Sequence, residues 1–308
     1  MTEAQLRLLA VHAHPDDEAS KGAGLVAKYS ADGVRCVLVT CTGGEAGDIL
    51  NPAADTDEAR TNLAAVRRRE LDEAIGIIGY AQLHLLGYHD SGMPDTDHNA
   101  RPDNFANAPL DEAIGRLVEI IRAERPHVVL TYPEDQARYP HPDHVRVHDI
   151  SIPAFEAAGD PEQYPDLGEP WQPLKLYYQG AFTKARLEFL HAWFDEQRIE
   201  SPFADWLAMF PEGWEDPTTT RIDVRDYLDT RRRALLAHAT QVAPDSIFFK
   251  VPEEVVRERM PWDELVLARS LVDTGVPDGE FEDDVFAGIR GAVMEAVAPP
   301  KAGSKTAR

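Results

Sequence analysis

Two short segments of this sequence concentrate side chains that bind divalent cations. The first, HAHPDDE (12–18), follows an apolar run and contains His14 and Asp17. The second, YPHPDH (139–144), follows another apolar run, and its two histidines have the same three-residue spacing. That spacing brings two side chains to one side of a first helical turn. Together the segments can supply His, Asp and His with an open coordination position, as catalytic zinc sites do.

The chemistry that this pattern favours is metal-assisted hydrolysis. A divalent cation lowers the pKa of a bound water to about 7, and a nearby carboxylate then takes the proton. Asp16 adjoins a ligand but points elsewhere, so we predict that it is this general base. Acidic residues at a helix start also stabilise the helix dipole, and Glu18 fits that role equally well. A dinucleotide site is excluded, because carboxylates occupy the turn where a glycine-rich phosphate loop would lie.

Alternating strands and helices must position the two segments. Apolar runs at 6–12, 34–40, 81–86 and 127–132 predict strands, separated by helices at about 19–30, 58–78 and 110–125. Strands that are apolar on both faces indicate an α/β fold, with a Rossmann-like, mostly parallel sheet and helices on both faces. Since the carboxyl ends of parallel strands share one edge, several residues that follow strands should converge there: His14, Thr42, Asp90 and His141.

The second half of the chain is less regular. A strand at 175–182 and helices at 184–197 and 223–240 are joined by segments rich in proline and tryptophan. We therefore predict a Rossmann-like metal-binding catalytic domain over 1–160. A smaller C-terminal lobe over 161–297 would complete the sheet and the substrate pocket, and 298–308 would form a disordered tail.

Composition limits the partners of the chain. The formal net charge of −23 disfavours nucleic acid and an anionic membrane surface, and no apolar run is long enough for a membrane span. Cys36 and Cys41 lie in one apolar run and fit buried reduced thiols, and the N-terminus has no signal-peptide pattern. We predict a cytoplasmic protein that acts on a small molecule; the sequence indicates no oligomeric state.

The segments AHPDDE and YPHPDH closely resemble the LmbE-like (PIG-L) superfamily of metal-dependent N-acyl amino-sugar deacetylases. The resemblance implies a Rossmann-like sheet that holds zinc or ferrous iron. It implies that His14, Asp17 and His144 are the metal ligands and that Asp16 is the base. His141 would stabilise the oxyanion and Asp143 would tune it. Tyr139 falls where the family has a mobile tyrosine near the substrate carbonyl.

Further segments resemble the mycothiol enzymes of actinobacteria and cover most of residues 6–290. GDILNP (47–52), GEPW with KLYY (168–178) and Lys21 are more similar to S-conjugate amidases than to the deacetylases of the same group. The resemblance implies these substrate-binding residues: Lys21, Glu45, Arg67, Asp90, His238 and Gln241. From the residues alone, Arg67 equally fits a solvated helix face, and His238 and Gln241 equally fit helix capping. At 133–138 the chain departs from the usual Asn-Gly-Gly of the family.

The resemblance therefore implies a metal-dependent amidohydrolase that cleaves the glucosamine–acyl-cysteine amide of mycothiol S-conjugates. The products would be a mercapturic acid and glucosaminyl-inositol, and His141 or Asp16 would protonate the leaving amine. Two alternatives keep this chemistry: deacetylation of N-acetylglucosaminyl-inositol, and a pathway-specific amidase for thiol conjugates. A third alternative, from another class, is a noncatalytic sugar- or metal-binding module.

Overall fold

A seven-stranded sheet forms the centre of the computed structural model, which describes residues 5–134 and 139–290. The strands are β1 (Arg7–His12), β2 (Arg35–Thr42), β3 (Gln82–Tyr88), β4 (Val128–Thr131), β5 (Lys175–Gln179), β6 (Thr220–Asp223) and β7 (Trp262–Ser270). Their order is β3-β2-β1-β4-β5-β7-β6. The pairings among β1 to β5 are parallel, and β7 is antiparallel to β5 and β6. The predicted α/β fold with a mostly parallel sheet is confirmed.

Helices cover both faces of this sheet. They are α1 (Asp17–Ser20), α2 (Ala23–Ala31), α3 (Asp57–Thr61), α4 (Leu63–Ile78), α5 (Leu110–Glu124), α6 (Pro142–Ala157), α7 (Lys184–Gln197), α8 (Ala204–Ala208), α9 (Leu228–Ala237) and α10 (Glu253–Arg259). No helix in the described ranges combines the length and the apolar character needed to cross a membrane.

Strand β1 shows why the first apolar run has no polar face. Its side chains alternate between two cores, with Leu8 and Ala10 packing against α2, α4 and α9. Leu9 and Val11 point the other way, into the core formed with α5 and α6. Because helices cover both faces of the strand, the side chains that point to either face are apolar from Leu8 to Val11. This central position places the turn after β1 in the middle of the carboxyl edge.

Two predicted helices are interrupted in the structure. The helix predicted at 19–30 ends at Ser20 and resumes at Ala23, because Gly22 adopts a positive φ of 76° after an extended Lys21. The helix predicted at 58–78 breaks at Asn62, which separates α3 from α4. The first break matters for the site, because it lets the Lys21 side chain turn back toward Asp17.

The C-terminal part of the chain extends the same sheet. β6 and β7 lie beyond β5, and the sequence patterns did not predict them. The helix predicted at 223–240 is shorter in the structure, where Asp223 ends β6, a 3-10 turn occupies Arg225–Tyr227, and α9 spans Leu228–Ala237. A separate apolar cluster, centred on Leu187 and Phe203, joins α7 and α8. The predicted boundary at residue 160 stays a prediction, and 298–308 lies outside the described residues.

Candidate metal centre

The turn between β1 and α1 presents its acidic side chains at the centre of the sheet edge. Asp17 begins α1, and its Oδ2 accepts a hydrogen bond from the His14 backbone N–H at 3.0 Å. The Asp16 N–H donates to Glu18 Oε2 at 3.0 Å. Asp16 itself has a φ of 112°, a region that non-glycine residues rarely adopt. Hydrogen bonds to the Asp17 and Glu18 carboxylates thus hold the turn in a strained conformation. In this conformation the Asp16 and Asp17 side chains point in different directions.

The turn after β4 leads into α6 in a different way. His141 is the N-cap residue of α6, and its Nδ1 accepts a hydrogen bond from the Asp143 N–H at 3.2 Å. Pro142 occupies the first helical position, where a missing N–H costs no hydrogen bond. His144 therefore falls on the first turn of the helix. Both imidazole rings are buried.

His14, Asp17 and His144 meet at the sheet edge. One potential ligand atom from each lies within 4.8 Å of those of the other two. Asp17 Oδ2 is 3.5 Å from His144 Nε2 and 3.7 Å from His14 Nδ1. All three side chains are buried. Two imidazole nitrogens and one carboxylate form a donor set that fits zinc or ferrous iron.

A second group lies on the other side of the His14 ring. His14 Nε2 is 3.1 Å from Asp143 Oδ2 and 3.5 Å from Asp90 Oδ1. Asp143 also accepts hydrogen bonds from the backbone N–H and the hydroxyl of Ser91. Metal-binding histidines usually donate their second N–H to such a carboxylate. Asp143 is therefore placed to accept a hydrogen bond from His14 Nε2. The other ring nitrogen of His14, Nδ1, then faces Asp17.

The charges around the cluster favour a cation. Burial opposes ionisation of Asp17, yet Lys21 and His144 hold the pKa of this carboxyl well below its usual value. Burial also disfavours a charged His14, but the Asp90 charge and hydrogen bonds to Asp143 and Asp17 raise its pKa well above the usual value. The buried carboxylates thus draw positive charge into the cluster, and a divalent cation can supply it.

Asp16 differs from the other acids of the site. Its Oδ2 accepts a hydrogen bond from Arg67 Nη2 at 3.0 Å, and its side chain is 27% exposed at the floor of a cleft. Burial raises the pKa of Asp16, although Arg67 opposes the shift. A carboxylate that faces a cleft and has a raised pKa has the properties of a general base.

Arg67 connects the two loops that frame the site. It is only 3% exposed, so it does not lie on a solvated helix face. Its Nη1 donates to Gly44 O at 2.6 Å, and its Nη2 donates to Pro15 O as well as to Asp16. The planar guanidinium fixes the β1–α1 turn against the loop after β2.

The remaining predicted positions surround this centre. Glu45 Oε1 accepts hydrogen bonds from His89 Nδ1 at 2.7 Å and from the Asp90 N–H at 3.2 Å. Lys21 forms an ion pair with Asp17 Oδ1. Tyr139 is exposed at the rim, and its ring centroid is 5.1 Å from that of His144.

His238 and Gln241 follow α9 and differ in placement. His238 is fully buried, and its Nε2 is 2.6 Å from Glu18 Oε1. Gln241 lines the cleft and donates to Asp48 O at 3.0 Å. The long-range contact to His238 gives Glu18 a partner that its helix-start position did not reveal.

Sequence reasoning placed His12 behind the ligands but missed its two polar partners, Tyr132 and Gln179. His12 Nδ1 is 3.0 Å from the Tyr132 hydroxyl, and His12 Nε2 is 3.2 Å from Gln179 Nε2. The Tyr132 hydroxyl also accepts a hydrogen bond from the Ala13 N–H at 3.2 Å. Tyr132 and Gln179 each stand at the carboxyl end of a strand, and that position is the signal that could have identified them.

A cleft of about 460 Å³ opens beside the cluster. Its floor includes Asp16, Asp17 and His144, and its far wall comes from the segments after β5 and α9. Pockets of this size hold small-molecule ligands. The site thus combines a buried donor set for a cation, a carboxylate facing the cleft, and space for a substrate.

Comparisons with known proteins agree with this fold and this pair of motifs. The family model for PIG-L, described as GlcNAc-PI de-N-acetylase, matches residues 9–155. The chain is 47% identical to a mycothiol S-conjugate amidase from Streptomyces coelicolor, over 93% of this chain and 98% of the relative. It is 38% identical to a 1D-myo-inositol 2-acetamido-2-deoxy-alpha-D-glucopyranoside deacetylase from Rhodococcus jostii, over 93% and 99%.

The fold is also similar to solved structures. An N,N'-diacetylchitobiose deacetylase from Pyrococcus horikoshii superposes with a TM-score of 0.60 at 18% identity, covering 85% of this chain and 84% of that one. The protein TT1542 from Thermus thermophilus gives a TM-score of 0.54 at 21% identity, covering 90% and 100%. Fold and motifs define a Rossmann-like α/β protein with a buried His–Asp centre. The chain belongs to the PIG-L family, as the two motifs indicated.

Proposed function

We propose that this chain is a metal-dependent amidohydrolase that cleaves the glucosamine–acyl-cysteine amide of mycothiol S-conjugates. The products are a mercapturic acid and glucosaminyl-inositol, so the reaction removes thiol-bound toxicants. The observation that carries the proposal is the cluster of His14, Asp17 and His144, of which Asp17 and His144 line the cleft. The 47% identity to the amidase of Streptomyces coelicolor supports the choice of substrate.

His14, Asp17 and His144 would hold the cation, for which zinc is our first choice and ferrous iron the second. A bound divalent cation polarises a carbonyl and lowers the pKa of water. Lys21 is paired with Asp17 Oδ1, which leaves Oδ2 directed at the two histidines. Lys21 therefore orients the carboxylate ligand and also borders the substrate cleft.

Asp16 is the proposed base. Because Arg67 donates to its Oδ2, we assign Oδ1 as the atom that accepts the proton of the attacking water. The same carboxyl then returns a proton to the leaving amine. Arg67 acts as a positioning residue, since its guanidinium is already bonded to Pro15, Gly44 and Asp16.

His141 is the proposed oxyanion donor. Burial lowers its pKa to about 4, so the ring is neutral near pH 7. Its Nδ1 accepts the Asp143 N–H, and we therefore place the ring proton on Nε2. That N–H can donate to the oxygen of the tetrahedral intermediate. Tyr139 at the rim is proposed to close over the substrate carbonyl.

Acidic residues on the other side of His14 suit the sugar. Glu45 and Asp90 accept hydrogen bonds and lie next to each other through the Asp90 N–H. Carboxylates can accept the hydroxyl hydrogens of glucosamine and inositol. Gln241, which lines the cleft, can bind either part of the substrate.

A second candidate is deacetylation of N-acetylglucosaminyl-inositol, which the deacetylase relatives at 35–38% identity favour. It requires the same groups around a smaller acyl chain. The cleft of about 460 Å³ favours the larger acyl group.

The test compares two substrates with the zinc-loaded protein. Amine release is measured from the bimane S-conjugate of mycothiol and from N-acetylglucosaminyl-inositol. We expect kcat/KM to be at least about tenfold higher for the S-conjugate, because each apolar group added to a substrate that fits its pocket contributes about tenfold or more. Preference for the acetylated sugar would establish the second candidate. No hydrolysis of either substrate, with zinc bound at one equivalent, would favour the noncatalytic module.

We also propose that the protein works in the reducing cytoplasm. Cys36 and Cys41 are buried free thiols, and burial raises the pKa of Cys36 to about 12. Such thiols fill space in the core and are poor nucleophiles.

A further inference from the structure

The cleft beside the metal centre has two chemically different walls. The wall next to the cluster is polar and includes Asp16, Asp17 and Lys21. Most residues of the opposite wall are apolar. Six of its side chains are Leu50, Phe182, Trp206, Leu235, Val242 and Phe248. Hydrolysis of an amide requires only the polar wall, so the apolar wall needs a separate explanation.

Three aromatic rings give the apolar wall a fixed shape. The Phe182 ring lies 5.0 Å from that of Trp206 in an edge-to-face arrangement, and 5.6 Å from that of Phe248 in a stacked one. Phe182 also lies 6.0 Å from the fully buried Phe203, which belongs to the core between α7 and α8. Aromatic contacts of this kind are preorganised and lose little entropy when a ligand binds.

Leu50 completes the wall at the mouth of the cleft. Leu50 is 63% exposed, although its backbone N–H is fixed by a 2.8 Å hydrogen bond to Thr240 O. The fold thus holds an apolar side chain in water at the edge of an apolar pocket. A ligand that covers Leu50 would remove that surface from water.

The direction of the substrate selects which group reaches this wall. When the scissile carbonyl lies at the cluster, the sugar extends from the amide nitrogen and the cysteine extends from the carbonyl carbon. The sugar–inositol part carries many hydroxyls, and among the six apolar side chains only Trp206, with its indole N–H, can donate a hydrogen bond to them. The cysteine sulfur is only three bonds from the carbonyl carbon, so a group attached to it stays within the same cleft.

We infer that the wall of Leu50, Phe182, Trp206 and Phe248 binds the S-substituent of the conjugate and selects apolar, especially aromatic, substituents. This inference rests on the proposed function and deepens it. An acetyl group would leave the wall uncovered, so the wall also separates amidase from deacetylase substrates. The expected specificity is a preference for large apolar thioethers over small ones.

The experiment uses two conjugates that differ only in the sulfur substituent, S-benzyl and S-methyl mycothiol. The readout is the ratio of their kcat/KM values for each zinc-loaded variant. A ratio within one protein sample does not depend on the fraction that is folded or loaded with metal. For the unmodified chain we expect the benzyl conjugate to be favoured at least about tenfold.

Leu50→Ser and Trp206→Ala should each reduce this ratio at least about threefold. The matched control is Leu271→Ser. Leu271 is also exposed, at 59%, and its N–H also donates to a backbone carbonyl at 2.8 Å, that of Leu174, but it does not line the cleft. The control should keep the ratio of the unmodified chain.

Two negative outcomes are distinguishable. If the chain hydrolyses both conjugates and the ratio is the same in all variants, the assignment of the wall is wrong and the proposed function stands. If the chain hydrolyses neither conjugate with zinc bound, the proposed function fails and the assignment fails with it.

Discussion

Asp16 combines two unusual properties at the scale of a single residue. Its backbone has a φ of 112°, which costs a non-glycine residue roughly 1–3 kcal/mol. Its side chain is directed to the cleft, while its neighbour Asp17 faces two histidines. The strain allows consecutive carboxylates to point in different directions, so that one can bind metal while the other accepts a proton.

The first prediction concerns Asp16→Asn. Asparagine tolerates positive φ and keeps an oxygen for the Arg67 hydrogen bond, but it cannot accept the proton of water. We expect kcat to fall by a factor of about 10² to 10⁴ while the protein keeps one equivalent of zinc. Steady-state kinetics and elemental analysis on the same sample measure both quantities.

His144→Ala serves as the reference for that variant, because it should lose both metal and activity. Unchanged turnover in Asp16→Asn would remove Asp16 as the base. Loss of zinc from Asp16→Asn would instead assign it to the ligand set.

Strand β5 brings a buried charge network into the sheet at the scale of elements. Lys175 is fully buried at the start of β5 and forms an ion pair with Glu282. The other carboxylate oxygen of Glu282 accepts hydrogen bonds from the Tyr177 and Thr220 hydroxyls. The network thereby ties β5 and β6 to the segment that follows β7. Burial lowers the pKa of Lys175, while Glu282 opposes the shift.

The second prediction concerns Glu282→Gln. This change leaves the buried Lys175 ammonium without its ion-pair partner, and breaking a buried ion pair typically costs about 3–5 kcal/mol. The double variant Lys175→Met/Glu282→Gln should recover a large part of that loss, because the uncompensated charge is gone. Urea unfolding monitored by circular dichroism gives both values.

The exposed i,i+4 pair of Arg68 and Asp72 provides the control. Asp72→Asn should change the free energy of unfolding far less than Glu282→Gln does. An equal effect of the two substitutions would show that the network adds nothing to the stability of the sheet.

At the scale of the whole molecule, the two faces of one sheet organise the chain. The core with α2, α4 and α9 and the core with α5 and α6 cover opposite faces. Strands β5, β6 and β7 of the C-terminal part extend the sheet, and residues of that part form most of the apolar cleft wall. We propose that the described part of the predicted 161–297 lobe, residues 161–290, completes the pocket.

The third prediction concerns the pH dependence of stability through His127. Its ring is buried at the amino end of β4, its Nδ1 accepts the Arg7 N–H at 3.1 Å, and burial together with the Arg7 charge lowers its pKa to about 4. The ordinary value is about 6.5. The folded chain thus favours the neutral ring. Its contribution to stability is complete above pH 6.5 and is lost as the pH falls toward 4.

His127→Asn removes this titration but keeps an acceptor for the Arg7 N–H. Urea unfolding at pH 7 and pH 5 measures the effect. The unmodified chain should lose more stability between these values than the variant does, since all other groups titrate in both proteins. The same loss in both would mean that His127 contributes nothing to the pH dependence.

The sequence by itself determined the class of fold and the family. Apolar runs without a polar face identified the parallel strands, because strands buried on both sides have no polar alternation. The i,i+3 spacing predicted that His14 and Asp17 share one side of a turn, and the common carboxyl edge of the parallel strands predicted that the segment with His144 lies beside them. The fold class and the PIG-L family are confirmed, whereas the roles of the site residues stay predictions.

Tertiary structure alone decided which partners surround those residues. The burial of Arg67, the contact of His238 with Glu18 and the position of Asp143 behind His14 all join residues that are distant in sequence. The four residues of β6, TRID, include a single apolar side chain and give no strand pattern, unlike the four apolar-rich residues VVLT of β4; pairing with β7 makes β6 a strand. The three aromatic rings of the apolar wall likewise come from separate segments of the chain, at Phe182, Trp206 and Phe248. Local spacing fixes which residues can share a helical turn, but only the packing of the complete chain fixes distances across the sheet edge.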